Sequence, residues 1–255
     1  MSVPENGPQQ LTDAVARRLS VRNAAAFWAA IARSRGHELI QRPGVLAVVG
    51  DERAGMRILV LDPSPDAATR AFIDMLVADH PGLPVLIEDQ FATHRFEHLG
   101  FVAKQMPVMT RDEPTAPTPR EGSEVTVVAV ESVEQLRAAE TIVVHAFDLP
   151  RMQPYQSGEA FPDDLLWYPG VRLFLAQREG QPVGACLTVD EGTCGGIYWV
   201  TALPEHRSLG VGRAVMQAAL AHLAPTAVSL TATPAGEPLY TSMGFRRVAE
   251  AAWWS

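Results

Sequence analysis

The stretch Arg207-Ser-Leu-Gly-Val-Gly-Arg-Ala-Val215 places two glycines one residue apart, immediately before a run that reads as helix. The residues ahead of it, GIYWVTALPEHR (196–207), are rich in β-branched and aromatic side chains and read as a strand that ends in a turn at Pro204. The unit is therefore strand, glycine loop, helix. A helix start exposes about four unpaired backbone N–H groups and roughly half a positive charge, so it binds an anion wherever no side chain blocks the approach. Gly210 and Gly212 remove that obstacle. Glycine in a helix-entry turn can also serve only unusual backbone angles, so the rest of the chain must decide.

Composition narrows the choice. The chain has 255 residues, of which 47% are apolar and 20% charged, enough for one large or two small cores. No run of about 18 apolar residues reads as a membrane span, and MSVPENGPQQ lacks the basic and apolar regions of a secretion signal. The expectation is a cytoplasmic protein without a membrane partner. A net charge of −8 argues against a nucleic-acid surface, so an anionic ligand has to be held locally. The two cysteines, Cys186 and Cys194, build neither a disulfide framework nor a four-cysteine zinc site, and read as buried or incidental thiols. Of seven histidines only His94 and His98 stand at i, i+4. With only Glu97 nearby as a third ligand, they read as a surface pair, and no metal is expected.

The chain echoes itself. FEHLGFVAKQMPVM (96–109) matches YTSMGFRRVAEAAW (240–253), MRILVLDP (56–63) matches IYWVTALP (197–204), and LPVLIED (83–89) matches AVSLTAT (227–233). RDEPTAPTPREGS (111–123) has linker composition, which divides the chain into a flexible start (1–10), a first domain (11–110), a linker (111–123) and a second domain (124–255). After Pro63 the first half reads SPDAAT with no glycine. Ser64 is expected to cap a helix, with Pro65 in its first position and Asp66 in its first turn, so a negative charge stands where an anion would bind. Phe96 also replaces Tyr240 in the echo. The second half reads as strand 125–130, a helix from about Glu131 through His145, an irregular stretch, strands 171–177 and 181–189 joined by a turn at REGQ (178–181), the glycine unit, helix 210–223 and a strand from Ala227.

This order, with RSLGVG and the later PLYTSMGF, resembles the GNAT superfamily of acyl-CoA-dependent N-acyltransferases, specifically over about residues 124–249 and weakly over 11–110. The resemblance implies an α+β fold of two tandem GNAT-like domains, each a mixed, mainly antiparallel twisted sheet flanked by helices, with only the second binding cofactor. It implies that Arg207, Ser208, Leu209, Gly210, Val211, Gly212 and Arg213 surround the pyrophosphate of acetyl-CoA. It implies further that backbone at Val200, Thr201 and Ala202 pairs with the pantetheine arm, an N–H near Ala202 polarising the thioester carbonyl. Tyr240 stands where many members keep a tyrosine that protonates the departing thiolate, and Thr233 where many keep an asparagine on the cofactor.

Where some members carry an acidic base, this chain has Gly196. The base must then come from elsewhere or be water; Asp163, Asp164, Glu191 and His145 are candidates by chemistry. The segment 148–170, mixing aromatics with acids, is either an acceptor wall for a small amine or a packed loop. A dinucleotide fold is excluded because Val215 occupies the third glycine position of Gly-x-Gly-x-x-Gly, and a phosphate loop because no Gly-Lys-Ser/Thr follows. Two readings remain: an N-acetyltransferase acting on a primary amine of a small molecule, or a non-catalytic acyl-CoA sensor of the same fold.

Overall fold

The computed structural model describes residues 10–64, 66–118, 124–147 and 149–255. The first half opens on a 23-residue helix, α1 (Asp13–Arg35), capped by the Thr12 side chain and ended by Gly36 at φ 68°. An antiparallel run follows, β1 (Glu38–Arg42), β2 (Val45–Val49) and β3 (Met56–Val60). Then come α2 (Ala67–Ala78), β4 (Val85–Asp89) parallel to β3, and β5 (Ala103–Arg111). The second half repeats this with an extra edge strand: β6 (Val125–Ala129), α3 (Val133–Ala146), β7 (Val171–Arg178), β8 (Gln181–Asp190), β9 (Gly195–Ala202), α4 (Val211–Leu223), β10 (Val228–Thr231), α5 (Glu237–Thr241) and β11 (Arg246–Trp254). The elements expected in this half are present within a few residues. The REGQ turn places Glu179 and Gly180 at φ 51° and 76°, the left-handed pair that a tight hairpin requires.

The eleven strands of the described residues form one sheet in the order β1-β2-β3-β4-β11-β5-β10-β9-β8-β7-β6. Matching β1 to β5 with β7 to β11 makes that order a palindrome, with β6 left over at the edge. The last strand of each half lies on the far side of the centre: β11 pairs with β4, and β5 pairs with β10. The expected pair of sheets is therefore continuous, and residue 111 marks no break in it. Arg111 is the last residue of β5 and is buried. Its guanidinium donates to the carbonyls of Met243, Glu113 and Thr115, so the start of the proline-rich segment is fastened to the second half.

The exchange mixes the cores. β11 carries Trp254 into the first-half core, where it meets Phe96 edge-on with ring centroids 5.8 Å apart. α1 runs the other way and lies on β8 and β9 of the second half. Its Phe27 stacks on Tyr198 with centroids 3.9 Å apart, and buried Asn23 donates to the carbonyls of Val189 and Cys194. No helix among the described residues is long and apolar enough to cross a membrane.

Candidate functional site

The glycine unit folds as strand, loop and helix. A short 3₁₀ turn (Pro204–His206) follows β9, Ser208 and Gly210 take left-handed backbone angles (φ 62° and 83°), and α4 begins at Val211 with no side chain capping it. Alternating left-handed residues turn successive N–H groups toward one concavity, the geometry that holds an oxyanion. A Cβ on Gly210 would meet nothing within 4 Å, so the space before the helix is open. Arg207 is exposed beside it, and Arg213 donates to the Ser242 hydroxyl at 2.6 Å. Gly184 lets the helix approach: a Cβ there would come within 2.3 Å of Val211 Cγ1 and 2.8 Å of the Thr201 carbonyl oxygen.

The matching helix of the first half is closed. Asp66, not Ser64, is its cap, accepting from the Thr69 N–H at 2.7 Å, and that backbone hydrogen bond holds the Asp66 carboxyl below the usual carboxylate range. Ser64 lies two residues upstream, its own N–H bonded to Asp62; Pro65 lies outside the described residues. The charge is on the residue the sequence pointed to, but it sits at the cap, two positions after the expected one, rather than in the first turn.

β9 separates from β10 above this loop. Their parallel pairing covers only Val228 with Gly195 and Ser229 with Gly196. On its other side β9 bulges against β8 between Ala185 and Leu187, with Trp199 forced to φ 52°. A bulky residue in left-handed backbone is strained, and such strain concentrates at sites that act on ligands. Val200, Thr201 and Ala202 follow the bulge and lead down to the glycine loop.

A cavity of about 290 Å³ occupies the splay. From the second half it is lined by Tyr198, Trp199, Val200, Thr233 and Tyr240. Tyr240 is buried, which pushes its hydroxyl up to about 12, and among the described residues no protein group hydrogen-bonds that hydroxyl. The Thr233 hydroxyl accepts from the Gly236 N–H at 3.2 Å. The opposite wall is built by the first half: Phe27 and Trp28 of α1, Arg57 of β3, Glu88 of β4 and Lys104 of β5, with Trp253 of the exchanged β11 beside them. Leu149 is the only described residue of 148–170 to line it; most of that segment is a packed loop. Buried Glu140 pins it by accepting from the N–H groups of Gly158, Ala160 and Phe161 and from the Tyr155 hydroxyl.

None of the four candidate bases lines the cavity. Asp163 pairs with Arg137, Asp164 is exposed on the surface, Glu191 pairs with Arg22, and His145 binds the Thr141 carbonyl of its own helix. Gly196 has a different reason for being bare: a Cβ there would lie 1.8 Å from the Asn23 Oδ1 of α1. The first half docks where an acidic side chain would stand. Glu88 was missed, because its only sequence signal is an acid amid the apolar LPVLIED, and its neighbours come from four other elements.

The histidine pair is a correction. His94 is buried and bonds Asp89 through Nδ1 at 2.8 Å, while His98 bonds Asp74 at 2.9 Å, so the two rings serve different carboxylates. Both cysteines are buried, which raises each thiol, Cys194 to about 11. Among the described residues no group of three or more His, Cys, Asp or Glu could hold a metal ion.

Residues 169–247 match the family profile described as acetyltransferase (GNAT) domain. A GCN5-related N-acetyltransferase from Kribbella flavida superposes with a TM-score of 0.65 at 18% identity, over 92% of this chain and 94% of that one. A GCN5-related N-acetyltransferase from Sphaerobacter thermophilus gives 0.52 at 17% identity, over 99% and 96%. No curated protein sequence matches the chain. The match to the GNAT acetyltransferase domain thus runs from just before β7 to the start of β11, and the whole sheet has the fold of these two structures.

Proposed function

We propose that this protein is an acyl-CoA-dependent N-acyltransferase that moves acetyl from acetyl-CoA to a primary amine of a small molecule by direct attack. The observation that carries the reading is the line from the uncapped start of α4, along the splayed β9, into a cavity walled by Val200 and Tyr240. The pyrophosphate lies against the N–H groups of residues 208–213, flanked by Arg207 and Arg213. The pantetheine arm runs beside Val200 to Ala202, where a backbone N–H steadies the developing oxyanion, an effect worth about 10²- to 10³-fold in rate. Tyr240 protonates the leaving thiolate; its raised affinity for its proton keeps it in the acid form at neutral pH. Thr233 lies near the thiol end, with its hydroxyl committed to the turn. The tandem reading, two GNAT-like units over 11–110 and 124–255, is supported by the palindromic strand order, and a cytoplasmic location fits an acetyl-CoA substrate.

A thiol-reactive dye reports the coenzyme A released when the full chain is given acetyl-CoA and a panel of amines. Amine-dependent release supports the transferase. Tight acetyl-CoA binding with no release for any amine would favour the sensor instead.

A further inference from the structure

Glu88 is a buried carboxylate in an aromatic cavity, and the chemistry above leaves it without a task. Arg57 pairs with its Oε1, and among the described residues no hydrogen bond reaches Oε2. The Arg57 guanidinium is itself held over the Trp28 ring, 3.8 Å from the centroid. Glu88, Trp253 and Lys104 lie side by side across β4, β11 and β5, so the sheet exchange itself brings the carboxylate into line with the acceptor wall.

Resting on the acyltransferase reading, we propose that this cavity, shared between the two halves, is the acceptor site for a primary amine carrying one flat aromatic body, and that Glu88 binds its nitrogen. Three features carry the choice. Glu88 is the one carboxylate among the described residues lining the cavity, which Tyr240 also lines. The lining around it includes Trp28, Trp199, Tyr198 and Trp253, aromatic side chains of the kind that favour both a flat ring and a cation. The volume, about 290 Å³, sits at the small end of ligand pockets, which suits a one-ring amine. An acceptor carboxylate would have Lys104 alone to turn to, since Arg57 is already committed to Glu88 and Trp28.

The amine arrives as an ammonium and gives one proton to solvent. Its nitrogen lone pair then forms the bond to the thioester carbon, the C–S bond breaks, and the sulfur takes the Tyr240 proton. Attack makes the nitrogen strongly acidic, so a carboxylate suffices to accept its second proton, which returns through solvent to Tyr240. Amide and free thiol are the products, and one proton is released overall.

The test uses the full chain and 2-phenylethylamine, read by tryptophan fluorescence, because three of the five tryptophans (Trp28, Trp199 and Trp253) line the cavity. Saturable quenching is expected, weakened about 10- to 100-fold in Glu88→Gln, the loss typical of one hydrogen bond to a charge. Acetyl-CoA affinity, measured separately by calorimetry, is expected to be unchanged. In the parent chain the uncharged isostere 2-phenylethanol should bind at least tenfold more weakly than the amine, a comparison that needs no variant. Equal binding of amine and alcohol, tighter binding of phenylalanine than of 2-phenylethylamine, or an unaffected Glu88→Gln would each overturn the proposal. Absence of acetyl-CoA binding in the parent would instead overturn the transferase reading beneath it.

Discussion

The passage from β3 to α2 and the passage from β9 to α4 follow the same course and end in opposite chemistry. Both leave a central strand paired in parallel with its next neighbour, and both turn into a helix over the sheet. At α2 the first-turn N–H groups meet the Asp66 carboxylate; at α4 they meet open space under Gly210. Strand pairing differs as well. β3 stays in register with β4 over five residues, whereas β9 leaves β10 after two, and the bulge at Trp199 widens the gap. A helix start becomes an anion site only when cap, side chains and neighbouring strand all stand aside. One half meets all three conditions, and the other half has turned its material to building the opposite wall of the cavity.

The largest effect should come from giving α4 what α2 has. Gly210→Glu puts a carboxylate where the pyrophosphate would sit and adds strain at φ 83°, so Gly212→Glu, free of that strain, accompanies it. Both should abolish acetyl-CoA binding by calorimetry while far-ultraviolet circular dichroism keeps its native form. Retained affinity in both would mean that the glycines serve only the turn.

Next in size is Tyr240→Phe, which removes the hydroxyl and leaves the plain ring that the first half has at Phe96. Removing a general acid costs about 10²- to 10⁴-fold in kcat, with acetyl-CoA affinity spared. Because burial pushes Tyr240 up to about 12, the acid form persists until pH rises through that value, and kcat should show no alkaline fall between about pH 8 and 10. A variant within about threefold of the parent would make Tyr240 a packing residue.

The smallest effect belongs to the closed helix. Asp66→Ala should lower Tm by about 2 °C at neutral pH and leave acetyl-CoA binding untouched. The Asp66 carboxyl is held low in the folded state, so its contribution is present above the unfolded value of about 3.9 and fades as pH falls through the folded one. The gap between variant and parent should therefore close in acid. A change in acetyl-CoA affinity would show that the first-half helix touches the cofactor.

What could be read from the sequence was local. The glycine loop, the hairpin at Glu179 and Gly180, and the strands of the second half each depend on residues within a few positions of one another. The Asp66 cap was displaced because Ser-Pro-Asp offers two capping residues in three positions, and only the Thr69 N–H selects between them. Long-range pairing was illegible. Nothing in YTSMGFRRVAEAAW says that its strand crosses to β4, and nothing in SVRNAAAFW says that Asn23 fills the space over Gly196. The expected loss of a base at Gly196 was in fact a docking site, and the carboxylate in the cavity came from the other half of the chain. That exchange also decides how the account must be tested: a fragment of either half would lack its neighbour's strand, so the full chain is required.

Calorimetric stoichiometry of acetyl-CoA on the full chain addresses the asymmetry of the two helix starts most directly. One molecule per chain, lost entirely in Gly210→Glu, is the result predicted. Two molecules per chain, or one that survives in Gly210→Glu, would contradict it.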